Sequence, residues 1–323
     1  MTKAIRVHET GGPDVLKFED VDVGAPGQGE VRIRHPAVGL YFIDTYFSSG
    51  LYPSQLPFVP GMEGAGVVLA AGEGVDSLKE GDRIAYAGPI GSYAEERIIA
   101  ADKIVKLPDA IPDAIAASIM LKGLTAQYLL RRTFRVEKGQ TILFHAAAGG
   151  VGQIAVQWAK ALGATVIGTA GGPEKCALAR SLGADHVIDY RSDDFVARVR
   201  EITGGGGCHV VYDSVGKDTF PASLDCLKPF GTWVSFGSSS GPVDAFNIGI
   251  LGQKGSLYAC RPTLFTYIAK RGDLEQMCGE LFDVIASGKV KIAEPTVYGL
   301  ADAAKAHADL EGRKTTGSVI LKP

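Results

Sequence analysis

The sequence predicts an α/β fold in which a doubly wound parallel sheet is joined to a mainly β domain. The 323 residues, 46% of them hydrophobic, suit a globular protein of about two domains. The pattern of the chain also changes along its length. Short β-type runs separated by glycine and proline dominate before residue 120, and strand-helix-strand alternation begins after residue 140.

The first part of the chain predicts a partly barrel-like β unit, because its apolar runs are short and closely spaced. The β-type runs are AIRVHE, LKFEDVDV, EVRIRHPAVGL, GAGVVLAAG, DRIAYAG and SYAEERIIA. A helix is expected within PDAIAASIMLKGLTAQYLLRRTF, at the end of this part.

The second part predicts six strands that are rich in valine and isoleucine, as strands buried on both faces are. These strands are TILFHA, TVIGTA, HVIDY, HVVYDSV, TWVSFG and SLYACR, with helical patterns filling most of the gaps. A helix over Asp273–Ser287 follows, and the tail then has strand, helix and strand character, ending in GSVILKP. We therefore expect a first domain over residues 1–122, a nucleotide-binding domain over 123–265 and a return to the first domain over 266–323.

Composition excludes several classes of partner. The formal net charge of −3 gives no basic excess for nucleic acid or an anionic membrane.

We expect no secretory signal and no membrane span, and hence a cytoplasmic protein. The five cysteines are odd in number and form no C-x-x-C pair, so free thiols are expected rather than disulfides or a zinc knuckle.

A glycine turn after the first strand of the second part predicts a dinucleotide site. The dinucleotide fingerprint is G-x-G-x-x-G, and here Ala147, Gly149 and Gly152 occupy its three glycine positions. Gly149 and Gly150 leave the backbone bare where a pyrophosphate approaches, and Gly152 lets the helix pack closely on the strand. The helix N-terminus offers free N–H groups to the phosphates.

The second strand of this unit lacks the carboxylate that binds the ribose of NAD. It ends in GTAGGPEK, so Gly171 and Gly172 give room there and Lys175 follows as a cationic partner for a 2′-phosphate. Tyr190, at the end of the next strand, is placed to hydrogen-bond or stack on the adenosine. The pattern favours NADPH over NADH, although a solvated lysine in a first helical turn is the alternative reading.

The later strands end in small and hydroxylated residues that suit a nicotinamide and its ribose. These endings include Ser214, the stretch from Phe236 to Ser240, and Arg261. Serines at strand ends are also common turn formers, so each one alone is open to either reading.

Several motifs resemble the medium-chain dehydrogenase/reductase superfamily, among them GLYFIDTY and VPGMEGAGVV. Zinc-dependent members carry Gly-His-Glu in the second motif, whereas this chain reads Gly61-Met62-Glu63 and has no cysteine before residue 176. No metal is therefore expected. The further motifs GGPDVLKFEDV, LKGLTAQYLLRRT, FHAAAGGVGQIAVQWAKALGA and SFGSSSG resemble the zinc-free, zeta-crystallin-like NADPH:quinone oxidoreductase family over essentially the whole chain.

This resemblance implies a GroES-like catalytic domain, a Rossmann domain and NADPH in a cleft between them. It also implies a homodimer, formed by edge-to-edge pairing of the strand in GSLYACR. The cofactor-binding residues that follow from the resemblance and from the patterns above are Phe42, Thr125, Gly149, Gly150, Val151, Gly171, Lys175, Tyr190, Ser214, Phe236, Gly237, Ser238, Arg261 and Arg313.

The chain departs from the family pattern at Tyr41, where the first motif usually has an asparagine near the nicotinamide. A phenol there shrinks the pocket, stacks on a flat substrate or donates a proton. The candidate catalytic residues are Tyr41, Tyr46, Tyr52 and Lys122, since a phenol stays protonated at neutral pH. The alternative is that the tyrosines only pack, because a reduced quinone also takes its proton from water.

Three functions remain open from the sequence. The first is an NADPH-dependent quinone reductase, and the second is a reductase of conjugated enones, enals or enoyl thioesters. The third, of another class, is an NADPH-binding structural or RNA-binding protein of the zeta-crystallin type, which the low net charge disfavours in its RNA-binding form.

Overall fold

The structure is a computed structural model that describes residues 1–312, 314–315 and 317–323. The strands are β1 Thr2–Val7, β2 Leu16–Val21, β3 Glu30–Leu40, β4 Glu63–Ala71, β5 Arg83–Ala87, β6 Glu96–Ala100, β7 Val105–Lys106, β8 Thr141–Phe144, β9 Thr165–Ala170, β10 His186–Asp189, β11 Cys208–Asp213, β12 Leu227–Ser235, β13 Tyr258–Cys260, β14 Thr296–Gly299 and β15 Val319–Lys322.

Apart from α10, the α-helices are shorter than the sequence patterns predict, and they are more numerous. They are α1 Phe42–Ser48, α2 Asp113–Ala116, α3 Met120–Tyr128, α4 Gly150–Ala161, α5 Pro173–Ser181, α6 Phe195–Ile202, α7 Ala222–Asp225, α8 Gly249–Gln253, α9 Leu264–Tyr267, α10 Arg271–Ala286 and α11 Ala303–Glu311.

The chain divides into two compact units. The first unit holds residues 1–122, 271–282 and 292–323, and the second holds residues 123–270 and 283–291.

The first unit is built on a seven-stranded sheet in the order β14-β15-β3-β4-β5-β7, with β6 paired to β3. The 11-residue strand β3 organises this sheet, since it pairs antiparallel with β4, β6 and β15. The last strand of the chain is thus hydrogen-bonded to a strand near its beginning. Strands β1 and β2 form a separate antiparallel pair.

The second unit is a six-stranded parallel sheet in the order β10-β9-β8-β11-β12-β13. The six strands are the six that the sequence predicts, so the doubly wound Rossmann fold is confirmed. The inner strands β8 and β11 are buried almost throughout, which explains their apolar composition.

The long helical pattern after Pro112 is not one helix. The structure breaks it into α2, α3 and a π-helical turn over Leu129–Thr133. At the first break the Ser118 hydroxyl donates to the Ile115 carbonyl at 2.9 Å, a local bond that competes with the helical pattern. The helix expected over Asp273–Ser287 is present as α10, two residues earlier at its start.

Candidate functional site

The candidate cofactor site of the second unit lies at the carboxyl ends of its parallel strands. The strand order reverses between the adjacent strands β8 and β11, because the chain proceeds outwards from β8 to β10 and then outwards on the other side from β11 to β13. Ligands of doubly wound sheets bind at such a switch point. The glycine turn that follows β8 is located there.

The turn between β8 and α4 presents bare backbone at a helix N-terminus. Gly149 and Gly150 are exposed, and the 12-residue helix α4 begins directly after Gly149. The first N–H groups of a helix, here those of Gly150 and Val151, have no partner within it and point outwards. An anionic group placed at this turn meets both these donors and the positive end of the helix dipole.

Alanine replaces the first fingerprint glycine without strain at its own position. Ala147 is fully buried and its backbone is not left-handed; the neighbouring Ala146 adopts the positive φ of 53°. A Cβ on Gly168 of β9 would lie 2.7 Å from the Ala147 methyl group. The space that Ala147 occupies is therefore provided by a glycine on the next strand.

Beyond β9, two cationic side chains and a phenol lie around the Gly171–Gly172 turn. A Cβ on Gly171 would lie 2.5 Å from the Tyr190 hydroxyl and 3.1 Å from Arg191 Nε, so both side chains pack on this glycine. Lys175 is exposed in the first turn of α5, and Tyr190 is 53% exposed. Arg191 is not among the residues predicted from the sequence, although it follows Tyr190 directly in IDYR.

A carboxylate at this end of the sheet, Asp189, is already engaged by backbone donors. Its Oδ1 accepts the Gly172 N–H at 3.0 Å and the Arg191 N–H at 3.1 Å. These two bonds hold the pKa of Asp189 below its ordinary value. Asp189 thus fixes the Gly171–Gly172 turn, around which Lys175 and Arg191 lie. The Glu174 side chain, next to Lys175 in the sequence, is exposed.

The ends of β11, β12 and β13 bring a second group of predicted residues together. The Arg261 guanidinium donates to the carbonyl oxygen of Gly237 at 2.8 Å and to that of Ser235 at 3.1 Å, and its Nη2 is 3.4 Å from Ser238 Oγ. A Cβ on Gly237 would lie 2.7 Å from the Ser214 carbonyl oxygen, so only glycine allows this approach.

Two further predicted residues, Phe236 and Thr125, have no contact with the Arg261 guanidinium among the described hydrogen bonds. The Phe236 ring packs on Phe144 with a centroid distance of 5.7 Å. Thr125 is half-buried on α3. Arg313 lies outside the described residues.

Four predicted residues of the first unit, Tyr41, Phe42, Tyr46 and Tyr52, lie in or beside helix α1, which is too short to give a helical pattern in the sequence. Phe42 begins the helix and is exposed, and Tyr46 is half-buried. The ring of Tyr52 meets Tyr46 and Phe47 edge-on, with centroid distances of 5.5 and 5.6 Å. Together these rings give an aromatic surface in the first unit.

Tyr41 is the N-cap residue of α1 and is only 8% exposed. Its hydroxyl donates to Glu63 Oε1 at 2.6 Å, and the ammonium of Lys122 lies 4.3 Å from the centroid of its ring. The other carboxylate oxygen of Glu63 accepts the Leu121 N–H at 2.7 Å. Glu63 is fully buried, and the sequence patterns gave no role to it.

Burial changes the acid–base properties of these groups. It raises the pKa of Glu63, and the bonds from Tyr41 and Leu121 oppose that rise. Burial also lowers the pKa of Lys122, against the attraction of Glu63. For Tyr41, burial and the Glu63 carboxylate both raise the pKa well above its ordinary value, so the phenol keeps its proton.

In the part of the chain that the structure describes, no three His, Cys, Asp or Glu side chains are grouped so that they could hold a metal ion. Met62 is buried at the position where zinc-dependent relatives of the fold have histidine. Across the described ranges, no helix has both the length and the apolar character needed to cross a membrane.

Two protein-family models match the chain and define the class of protein to which it belongs. The model of the alcohol dehydrogenase GroES-like domain matches residues 27–109, and that of the zinc-binding dehydrogenase matches residues 150–276. Together with the two sheets described above, these matches make the chain a member of the medium-chain dehydrogenase/reductase superfamily.

Individual relatives show which family within this superfamily the chain belongs to. A quinone oxidoreductase of Pseudomonas aeruginosa is 54% identical over 100% of both chains. The crystal structure of Escherichia coli quinone oxidoreductase complexed with NADPH is 50% identical, covers 99% of this chain and 100% of that one, and has a TM-score of 0.94. A 2-haloacrylate reductase of Burkholderia is 44% identical over 100% of this chain and 99% of its own. The chain belongs to the quinone oxidoreductase family.

Proposed function

We propose that the protein is an NADPH-dependent quinone reductase. The observation that carries this proposal is the set of Lys175, Tyr190 and Arg191 around the Gly171–Gly172 turn, at the end of β9 where an NAD site has a free carboxylate. The 54% identity to a quinone oxidoreductase supports the oxidoreductase activity. A structural or RNA-binding role and an enone reductase are not favoured by these relatives.

The residues of the second unit fit NADPH at both ends. Lys175 and Arg191 supply positive charge for the 2′-phosphate, with Tyr190 against the adenosine. The α4 N-terminus after Gly149 receives the pyrophosphate. Ser214, Phe236, Gly237, Ser238 and Arg261 hold the nicotinamide half, with Phe42, Thr125 and Arg313 as further contacts. When bound, NADPH supplies the hydride that reduces the substrate.

The first unit supplies the surface for the substrate. A quinone is flat and aromatic, and the exposed or half-buried rings of Phe42, Tyr46 and Tyr52 offer edge-on and stacking contacts to such a ring. We place Tyr46 and Tyr52 as substrate-lining residues, with Lys122 as the cationic group beside the Tyr41 ring.

The cofactor assignment is tested by removing the two cations. We expect Lys175→Ala and Arg191→Ala each to raise the KM for NADPH about 10- to 100-fold, since a charge-assisted bond contributes roughly 1.5–3 kcal/mol. The KM for NADH should change less than twofold in both variants, because NADH has no 2′-phosphate. Steady-state oxidation of each cofactor with a benzoquinone acceptor measures both.

The matched control is Lys138→Ala, which removes an exposed lysine just before the amino end of β8, on the opposite edge of the sheet. It should leave both KM values unchanged. Equal effects of Lys175→Ala on NADPH and NADH would contradict the 2′-phosphate site. Faster turnover of 2-haloacrylate than of quinones would contradict the substrate class, and NADPH oxidation without any acceptor would favour the structural alternative.

We also propose a homodimer formed through β13, the edge strand of the parallel sheet. Tyr258 in this strand is 63% exposed, Phe230 in β12 is 69% exposed and Ile248 before α8 is 75% exposed. An edge strand with exposed apolar side chains and no charge is a template for pairing with a second copy.

A cytoplasmic location is proposed on the state of the cysteines. All five are free thiols, and four of them are buried. A reducing compartment maintains such thiols and also supplies NADPH.

A further inference from the structure

The first unit contains a buried cluster in which a phenol, a carboxylate and an ammonium are in contact. Tyr41 Oη and Glu63 Oε1 are 2.6 Å apart, and Lys122 Nζ lies 4.3 Å from the centroid of the Tyr41 ring. The three residues come from the N-cap of α1, the start of β4 and the first turn of α3. Buried ionisable groups are costly unless they are paired, so a cluster of this kind calls for a chemical explanation.

We propose that Tyr41, Glu63 and Lys122 form one proton-transfer unit, in which Lys122 donates the proton to the substrate oxygen and Tyr41 and Glu63 are its positioning residues. This inference rests on the proposed quinone reductase function. It assigns to Tyr41, the residue that departs from the family motif, a role other than contact with the substrate.

The hydrogen bonds fix the direction of the unit. Tyr41 has a single hydroxyl proton, and it is directed at Glu63 Oε1. Both oxygens of Glu63 are occupied as acceptors, one by Tyr41 and the other by the Leu121 N–H, which is the pattern of a carboxylate. Tyr41 therefore does not donate to a substrate; it stabilises the negative charge of Glu63.

Lys122 is the member of the cluster that retains donors. Its ammonium has three N–H groups, and among the described residues its hydrogen-bond partner is Ser318 Oγ at 3.2 Å. The face of the Tyr41 ring fixes the ammonium by a cation–π contact. Lys122 is half-buried, so it is accessible from one side while Glu63 is fully enclosed.

The chemical step is balanced without a further reactant. When the substrate carbonyl is reduced by the hydride that NADPH supplies, negative charge develops on its oxygen. A Lys122 N–H bond breaks, its electron pair stays on the nitrogen, and an O–H bond forms on the substrate. Water then returns a proton to the neutral amine, and the Glu63 carboxylate favours that return.

The other titratable groups around the cluster are also buried, except Arg97, which is half-buried. Asp44 of α1 accepts the Tyr41 N–H at 2.8 Å and the Tyr93 hydroxyl at 3.2 Å, and Tyr93 is in turn 3.1 Å from His307 Nε2. From β5, Tyr86 is 2.6 Å from His35 Nε2, and Arg97 lies 5.4 Å from the centroid of the Tyr86 ring. These groups also titrate near the cluster, so the part of a pH profile that is due to Lys122 is identified by its loss when Lys122 is replaced.

The same constellation also occurs on the surface of this unit and provides a matched control. Tyr298 Oη donates to Asp309 Oδ2 at 3.1 Å, and Lys305 Nζ lies 5.0 Å from the centroid of the Tyr298 ring. Lys305 is largely exposed, in contrast to Lys122. Tyr298→Phe and Lys305→Met therefore make the same chemical changes outside the proposed unit.

The first measurement is the pH profile of kcat at saturating NADPH with a benzoquinone. The ammonium is the active form, so activity should be present at low pH and lost as the pH rises through the pKa of Lys122, which lies below the ordinary lysine value near 10.4. Lys122→Met should lower kcat about 100-fold and abolish this alkaline limb, with the KM for NADPH changed less than twofold.

The positioning residues should move the limb rather than remove it. Tyr41→Phe withdraws a hydrogen bond from Glu63 and Glu63→Gln withdraws its charge, so both should shift the limb to lower pH and lower kcat about tenfold. The Tyr298→Phe and Lys305→Met controls should leave kcat and the limb unchanged.

A readout independent of activity uses the cofactor-free protein. The rate of acetylation of Lys122 by acetic anhydride, followed against pH by peptide mass spectrometry, should titrate below the range of Lys305 and shift lower in Tyr41→Phe and Glu63→Gln. The proposal is overturned if Lys122 titrates in the same pH range as Lys305, or if neither variant shifts the titration of Lys122. Either result overturns it even if the wild-type protein reduces quinones. If Lys122 titrates as expected but the protein does not reduce quinones, the result supports the proton-transfer unit and contradicts the proposed function.

Discussion

Gly152 lies in the first turn of α4 where a side chain has no room. A Cβ on this residue would be 2.5 Å from the Ala146 carbonyl oxygen and 2.6 Å from that of Ala147. Both carbonyls belong to the turn that carries Gly149, so a displaced helix start would also displace the N–H groups offered to the pyrophosphate.

We therefore expect Gly152→Ala to destabilise the second unit by about 1–3 kcal/mol and to weaken NADPH binding. Thermal unfolding and a fluorescence titration with NADPH measure the two effects. Gly252→Ala, at a helical glycine whose Cβ would meet no atom within 4 Å beyond its own helix backbone and chain neighbours, is the matched control and should leave both unchanged or raise stability slightly. Wild-type melting and affinity in Gly152→Ala would contradict this account.

Site residues that follow a local pattern were predictable from the sequence, whereas those that depend on distant contacts were not. Gly171, Lys175 and Tyr190 stand at the ends of predicted strands and were predicted as site residues. The importance of Glu63 rests on contacts with Tyr41 and Leu121, which are 22 and 58 positions away, so its own motif could not reveal it. The same holds for Gly168, whose missing side chain provides the space for Ala147.

At the scale of elements, α1 depends on the buried carboxylate of Asp44. Asp44 accepts the N–H of the N-cap residue Tyr41 at 2.8 Å, which is one half of a capping box, and its own N–H donates to the Tyr41 carbonyl oxygen at 3.0 Å. Burial raises the pKa of Asp44 to about 7, from an ordinary value of 3.8. A raised pKa means that the folded protein holds this proton more tightly than the unfolded chain does, so the associated stability is fully present below pH 3.8 and is lost as the pH rises towards 7.

Asp44→Asn removes that proton equilibrium and keeps an amide oxygen that can accept the Tyr41 N–H. We expect the stability of the variant relative to wild type to rise by about 2 kcal/mol between pH 5 and pH 7, because each unit of pH within this window costs the wild type roughly 1.4 kcal/mol. Urea unfolding at several pH values gives the difference.

Asp309→Asn is the control for this measurement. The bond from Lys305 lowers the pKa of Asp309, so its carboxylate is charged in both the folded and unfolded states between pH 5 and pH 7. The difference between this variant and wild type should therefore stay constant over the window. An equally constant difference for Asp44→Asn would show that Asp44 is ionised in the folded protein.

Helices and strands could be predicted where their apolar residues form a recognisable pattern along the chain. The six parallel strands are apolar runs between glycine turns, and the sequence located all six. Helix α1 has seven residues, or about two turns, which is too few for a periodic signal. The pattern after Pro112 is periodic enough for a single helix, and only the local bond of Ser118 and the packing of the unit interrupt it.

At the scale of the whole molecule, the two sheets end in exposed edge strands that differ in their expected use. Strand β13 closes the parallel sheet with Tyr258 exposed, and β14 closes the sheet of the first unit with Val297 exposed to 55%. The proposed dimer uses β13, so a charge introduced there should oppose itself across the two-fold axis.

We expect Tyr258→Lys to convert the dimer into a monomer, because like charges facing each other on paired edge strands are destabilising and a lysine on an edge blocks pairing. Val297→Lys places the same charge on the other edge and should leave the dimer intact. Light scattering after size-exclusion chromatography, over a range of protein concentrations, distinguishes one chain from two. Dissociation by Val297→Lys alone would move the interface to the first unit, and a wild-type monomer at every concentration would contradict the dimer itself.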